Sequence, residues 1–253
     1  MKEEARKTAE YLLSSKRTVV LTGAGISVES GIAPFRGPGG LWEKFDPMEY
    51  AHISALLNNP EKVWKNLIAE MTGVLKRAEP NAGHLGLARL EEMGLLQTVI
   101  TQNIDGLHQK AGNTDVIEFH GNFAWLSCME CGDSRDATKI ELDEIPPRCR
   151  CGGIYRPDCV FFGEMIPPEA LDRSQAESAG CDVMLVVGTS ATVQPAAYMP
   201  VIARNNGAVV IEVNPEPTPL TGTTSHLLVS GGAGEAISEI VAAAESLRNV
   251  ESE

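Results

Sequence analysis

Four cysteines stand in two close pairs, Cys128 with Cys131 and Cys149 with Cys151, separated by seventeen residues (132 to 148). Two thiolate pairs on two turns close a tetrahedral zinc site. With four protein ligands no coordination position is left for chemistry, so such a zinc would be structural. A redox dithiol is the competing reading, disfavoured because redox sites seldom carry two pairs. Cys159 and Cys181 flank strands and read as small buried hydrophobes. A second cluster, Thr22-Gly23-Ala24-Gly25-Ile26-Ser27, follows an apolar run directly. Glycines there let backbone N–H groups approach a pyrophosphate, although an ordinary tight turn uses the same residues. A third, Gln102-Asn103-Ile104-Asp105, offers an amide and a carboxylate that can hold a ribose, a carboxamide or a water, or cap the next helix. A fourth, His120-Gly121, ends an alternating segment that starts at Val116. An imidazole titrates near neutrality, so His120 is the candidate general base. His52, His84, His108 and His226 terminate no strand at the same place and read as structural or surface residues.

These groups need elements that bring them together. The β-branched runs Thr18 to Leu21, Thr98 to Ile100, Val183 to Val187 and Ala208 to Val213 read as buried parallel strands, each ending in small or polar residues. Helical patterns cover 3–15, Glu61 to Lys76, Ala82 to Met93 and about Gly234 to Leu247. Alternation of strand and helix predicts an α/β fold, a Rossmann-like doubly wound parallel sheet whose ligands gather at the carboxyl ends of its strands. The stretch from about 123 to 157, with the paired cysteines and Ile145-Pro146-Pro147, breaks the pattern and reads as an inserted module. A hydride-transferring dehydrogenase would need a third glycine where Val28 stands and an acid about 20 residues on. Instead Glu29 to Gly40 forms a loop that can fold over a nucleotide, with Phe35 and Arg36 pointing inward.

Composition narrows the function further. With 253 residues, 43% hydrophobic, the chain can bury one full core and a small second module. A net charge of −13 is opposite to the basic footprint of nucleic-acid binding and favours basic protein segments as partners. The charged N-terminus lacks a secretory apolar region, and no run reaches the roughly 18 apolar residues of a membrane span. A cytoplasmic protein with no membrane partner is expected, and in a reducing compartment paired cysteines point to metal before disulfides.

In this order and spacing the motifs resemble the sirtuins, NAD-dependent protein deacylases. The matches are Gly23 to Ser27, Gly37 with Leu41-Trp42, Gln102 to Asp105, His120-Gly121, Arg156-Pro157, Val160 to Glu164, Gly188-Thr189-Ser190, Gln194 to Ala197, and Asn214. Ile32-Ala33-Pro34-Phe35 departs from the family's more usual proline before Thr or Asp. The resemblance implies a single catalytic core over 1–253. Its large NAD-binding part would span about 1–36, 78–122 and 158–253, and its small part a helical insert, about 37–77, plus the zinc module. By carry-over, Gly23, Ala24, Gly25 and Ser27 line the phosphates, and Phe35 and Arg36 guard the nicotinamide ribose. Gln102, Asn103 and Asp105 meet that ribose and the nicotinamide pocket, with His120 and Asn103 catalytic. Gly188, Thr189, Ser190, Asn214 and Ala233 hold the adenosine half. Val160, Phe162, Gly163 and Glu164 line an acyl-lysine tunnel, beside which an extended acetylated peptide adds as a strand. The implied reaction consumes NAD: the amide oxygen displaces nicotinamide, His120 deprotonates the ribose so that a hydroxyl attacks the imidate carbon, and water releases free lysine and O-acetyl-ADP-ribose. Protein mono-ADP-ribosyl transfer and removal of longer acyl groups stay open beside it.

The resemblance also bears on the acyl group. Members that prefer succinyl or malonyl lysine carry a tyrosine and an arginine three residues apart on a pocket helix. Anchoring on Val63-Trp64 puts those positions at Leu67 and Glu70, and a one-residue slip puts them at Ile68 and Met71. Neither pair is Tyr and Arg. An uncharged acyl group is expected, with Glu70, if it faces the pocket, repelling an acidic one.

Overall fold

The computed structural model describes residues 3–35, 39–139 and 144–251. Six parallel strands form the main sheet: β1 (Thr18–Thr22), β2 (Thr98–Thr101), β3 (Val116–Glu118), β7 (Val183–Val187), β8 (Val209–Asn214) and β9 (Leu227–Ser230), in the order β3-β2-β1-β7-β8-β9. Both faces are covered, which is why the central strands read as near-continuous apolar runs. On one face Val20, Val99, Leu185 and Ile211 pack under α1 (Glu3–Ser14), α7 (Ala82–Glu92) and α11 (Ala233–Glu251). On the other, Val19, Leu21, Met184 and Val210 meet α9 (Pro168–Gly180) and α10 (Met199–Asn205). The expected doubly wound sheet is therefore present. From β1 the chain builds outward through β2 and β3, then crosses to β7, β8 and β9 on the other side. That reversal opens a crevice at the carboxyl end of β1.

A second, antiparallel sheet, β5-β4-β6, is made of β4 (Gly121–Cys128), β5 (Ser134–Asp136) and β6 (Tyr155–Cys159). It carries the paired cysteines. Beside it lie short helices: α2 (Leu41–Lys44), α3 (Pro47–Tyr50), α4 (Ile53–Asn58), α5 (Pro60–Val63) and α6 (Ala69–Leu75). Leu56, Val63, Trp64 and Ile68 from the helices share one apolar core with Leu126, Cys128, Tyr155 and Phe161. The Trp64 indole N–H donates to Tyr155 O at 3.0 Å across that core.

The helix expected from Glu61 to Lys76 is interrupted. A π turn over Trp64–Ile68 joins α5 to α6. A π turn takes in an extra residue without ending the helix, and it changes which side chains face inward beyond it. The short helix α8 (Leu107–Ala111) follows β2.

Candidate active site

The crevice holds a cavity of about 1020 Å³. Its floor is the glycine turn after β1. The Gly23 and Gly25 N–H groups are already engaged, donating to Val187 O (3.1 Å) and Gly188 O (2.7 Å). These glycines therefore pin the turn to the end of β7 and do not themselves offer donors. Their need for hydrogen in place of a side chain is steric: a Cβ on Gly25 would stand 2.6 Å from Gly188 O. Ala24, between them, opens a 3₁₀ turn, Ala24–Ser30, capped by Gly23, whose carbonyl accepts from Ile26 N at 3.1 Å.

His120 follows β3 and lines the same cavity. Its Nδ1 lies 3.0 Å from Gln102 O, and a carbonyl only accepts, so Nδ1 carries the proton and Nε2 keeps a free lone pair. Burial pushes the imidazole pKa below its ordinary value, opposed by that carbonyl. His120 is thus set up as a neutral base. Gln102 is itself fixed, since its side-chain amide donates to Thr189 Oγ1 at 3.0 Å and to Thr22 O at 3.3 Å.

Behind the wall lies a buried polar layer. Asn103 Nδ2 donates to Gly23 O and to Ser27 Oγ, both at 3.1 Å, and Ser27 Oγ donates to Asp105 Oδ2 at 2.7 Å. Asp105 Oδ1 accepts from Leu107 N at 3.0 Å, so the helix-capping reading of this motif holds alongside its place near the crevice. Two of the histidines set aside in the sequence complete the layer. His84 Nε2 lies 3.4 Å from Ser27 Oγ, and His108 Nε2 lies 2.9 Å from Thr22 Oγ1. Burial lowers the pKa of both, that of His108 to about 3, so they are neutral packing groups.

The structure brings most of the sequence candidates onto one wall. Gly23, Ala24, Gly25, Phe35, Gln102, Asn103 and His120 line the cavity. So do Val160, Phe162, Gly163 and Glu164, and, against the glycine turn, Gly188 and Thr189 with Ser190 and Asn214. Ser27, Asp105 and Ala233 are not on it. Ser27 and Asp105 sit in the layer just described, and Ala233 is buried at the start of α11. Arg36 and Gly37 fall outside the described residues.

Glu164 is more constrained than its place on the wall suggests. Its carboxylate accepts from the Arg156 guanidinium at 2.5 and 2.7 Å and from Phe161 N at 2.8 Å. Arg156 also donates to Cys159 O at 2.6 Å and stacks on the Phe161 ring. This pair ties β6 to the segment Val160 to Gly163. His52, taken as structural or surface, caps α4 and packs its ring on Gly163, whose Cβ would meet Nε2 at 2.6 Å. No strand end marked it in the sequence.

Further wall residues come from the helical insert. Trp42 stacks on Phe35 (5.3 Å) and meets Phe162 (5.9 Å), and Leu67, Ile68 and Met71 close the apolar end. Glu70 does not face in: its carboxylate takes Lys44 Nζ at 2.6 Å on the surface. The expectation that it could repel an acidic acyl group is corrected accordingly. Cys159, read as a buried hydrophobe, also lines the cavity, but burial pushes its thiol up to about 12 and keeps it protonated.

The four cysteines converge, with all four Sγ atoms within 4.8 Å of one another and the pairs Cys128–Cys151 and Cys131–Cys149 at 3.5 and 3.7 Å. Four sulfurs held tetrahedrally at about 2.3 Å from a zinc are about 3.8 Å apart. The residues present therefore fit one structural zinc, and the shorter Cys-x-Cys spacing does not prevent convergence.

The sequence profile of the Sir2 family matches residues 23–195. NAD-dependent protein deacylase 1 of Archaeoglobus fulgidus is 44% identical over 236 residues, 93% of this chain and 96% of that protein. A Sir2 homologue solved as its NAD complex superposes with TM-score 0.89 at 42% identity, covering 95% of this chain and 94% of that one. A Sir2 variant solved with a deacetylated p53 peptide and 3′-O-acetyl ADP-ribose superposes with TM-score 0.89 at 35% identity, covering 94% and 98%.

Proposed function

This chain belongs to the Sir2 family, and on that premise we propose that it is an NAD-dependent protein-lysine deacetylase using acetylated protein segments as substrates. NAD, bound as co-substrate, supplies an anomeric carbon from which an amide oxygen can displace nicotinamide, leaving ADP-ribose to carry off the acyl group. The chain's own part is positional and acid–base. The turn Gly23 to Gly25 lies against the phosphates, and Gly188, Thr189, Ser190 and Asn214 hold the adenosine half. Ser27, Asp105 and Ala233 act from behind these walls. Gln102 and Asn103 orient the ribose and the carboxamide, with Phe35 and Arg36 over them. His120 Nε2 takes the proton of a ribose hydroxyl, a contribution of about 10²–10⁴ in rate. Val160, Phe162 and Gly163 line the acyl-lysine passage, and Glu164 holds that segment through Arg156. The aromatic group Phe35, Trp42 and Phe162 flanks this passage.

The observation that supports this reading most is the bond from His120 Nδ1 to Gln102 O. It leaves a bare Nε2 between a glycine cradle and an apolar end pocket. Mass spectrometry of an acetyl-lysine peptide incubated with NAD tests it. One nicotinamide and one O-acetyl-ADP-ribose per lysine freed is the expected result. An intact acetyl group, or ADP-ribose transferred to protein instead, would overturn it.

One observation favours longer acyl groups as additional substrates. A second cavity, about 210 Å³, shares Ile68, Ile104 and Phe123 with the first, so side-chain rotation there would extend the passage. The division into a small part, about 37–77 and 123–157, and an NAD-binding remainder is supported by the apolar cluster that described residues of both small-part stretches share and by the four cysteines that would hold the zinc. Among the described residues no helix is long and apolar enough to cross a membrane. The net charge of −13 and the free cysteines support the reading of a cytoplasmic enzyme with neither nucleic acid nor membrane as a partner.

A further inference from the structure

Glu212 lies in the middle of β8, in the run Val209-Val210-Ile211-Glu212-Val213, and is 1% exposed. A carboxylate at such a place is costly unless fully hydrogen-bonded. Its donors are three neutral hydroxyls. Thr221 Oγ1 donates to Oε1 at 2.7 Å, Ser225 Oγ donates to Oε1 at 2.6 Å, and Thr218 Oγ1 donates to Oε2. All three belong to the connection between β8 and β9. That connection is knotted around them: Thr218 N donates to Thr221 Oγ1 (2.9 Å), Leu220 N to Thr218 Oγ1 (3.1 Å), and the N–H groups of Thr224 and Ser225 to Leu220 O.

The start of the same connection is a wall of the crevice. Asn214, Pro215, Glu216 and Pro217 line the cavity. Side chains alternate along a strand, so Glu212 and Asn214 point to the same face of β8. Asn214 Nδ2 donates to Thr189 O at 3.0 Å, and Thr189 Oγ1 accepts from Gln102. A path thus runs from the Glu212 carboxylate by hydrogen bonds to Thr218, back along the chain through Pro217 to Asn214, and by hydrogen bonds on to Thr189 and Gln102. Two prolines in the lining segment limit its own freedom, and the far end of the loop is held by Glu212.

We propose that Glu212 is a positioning residue for the co-substrate: it never touches NAD but fixes the 214–217 wall against which the adenosine half lies. The proposal rests on the NAD reading above. An isosteric amide keeps the volume but accepts through one oxygen in place of two, so hydroxyls gathered by the carboxylate lose a partner and the wall loosens. Binding at the adenosine end then weakens, while the acyl passage, built from the segment after β6 and the helical insert, is untouched.

The test is steady-state kinetics of Glu212→Gln with an acetyl-lysine peptide, together with calorimetric titration of NAD and ADP-ribose. The expected result is a rise of at least about tenfold in the KM for NAD and the Kd for ADP-ribose, with peptide KM and kcat within about twofold of wild type. If the amide variant does not fold, the double variant Thr221→Val, Ser225→Ala carries the same expectation at about threefold. A folded variant with lowered Tm but unchanged affinity for ADP-ribose makes Glu212 a structural brace only and overturns the proposal. Parallel rises in both KM values do so too. Failure of the wild-type chain to bind NAD would instead strike the functional reading itself, and this proposal with it.

Discussion

Acyl preference can be worked from the wall of the cavity. Its apolar end is made by Leu67, Ile68 and Met71, the first two almost fully buried. Among the described lining residues there is no lysine or arginine: the charged ones are Glu164, Asp172 and Glu216, and the histidine is His120. Arg156, three residues before Cys159, is already held by Glu164, and Arg173, next to Asp172, by Asp115. A succinyl-lysine entering this pocket would strip water from a carboxylate and find no cation among the described lining residues. Desolvating an ion in a protein costs several kcal/mol. The open mouth of the crevice lets part of that be recovered, and a conservative floor of about 1.4 kcal/mol corresponds to tenfold. The wild-type kcat/KM for an acetyl-lysine peptide should therefore exceed that for the same peptide succinylated by at least about tenfold. Met71→Arg supplies the missing cation at a partly exposed position, where the longer side chain need not overpack the core. A charge-assisted hydrogen bond contributes about 1.5–3 kcal/mol, so the ratio should narrow by roughly ten- to hundredfold. Both ratios come from one competition assay read by mass spectrometry. Equal or better desuccinylation by wild type refutes the reasoning about the pocket. So does a ratio that Met71→Arg leaves unmoved.

Replacing His120 by alanine should leave NAD binding in place and lower deacetylation at least about a hundredfold. The base must be neutral to act, and burial lowers its pKa, so the acid limb of the wild-type kcat/KM profile should lie below the ordinary imidazole value of 6.5. A limb above that value would show that a different group titrates. Substituting Cys128 or Cys131 should release one zinc per chain, measured by a chromogenic chelator, and abolish activity through the misplaced β6 segment. Zinc-free protein that stays folded and active would remove the structural metal from the account.

The main sheet was readable because it is buried on both faces. β1, β7 and β8 appear in the sequence as near-continuous apolar runs, with Glu212 in β8 the one acid among them, and their polar ends then mark the crevice without any knowledge of packing. β9 was not readable: Leu227–Ser230 is a short edge strand whose two leucines are only partly buried. The small helices α2 to α4 were missed for a related reason. At four to six residues none shows a period, and they are held by local caps such as Asp46 to Met48 N and His52 to Ser54 N. The acyl wall was half readable. Spacing alone left two registers, Leu67 with Glu70 or Ile68 with Met71, because a π turn breaks the constant period that would decide between them. The structure brings Leu67, Ile68 and Met71 to the wall and turns Glu70 out to Lys44.

What the motifs conceal most is the support behind them. Glu164 reads as a lining residue, yet its two oxygens are engaged by Arg156, eight positions earlier and on another element. Ser27 and Asp105 read as ligand contacts, yet they face each other in a layer shared with His84 and Asn103. These pairings are invisible in sequence because each polar group finds its partner through the fold. One signal was nevertheless present. An acid in the centre of an otherwise apolar strand cannot stay unpaired, so Glu212 announces by position alone that donors must converge on it. The following stretch, Pro217-Thr218-Pro219-Leu220-Thr221-Gly222-Thr223-Thr224-Ser225, is rich in the neutral hydroxyls that could do so. A polar residue out of place in a strand thus points to the loop it organises, and here that loop begins with a wall of the site.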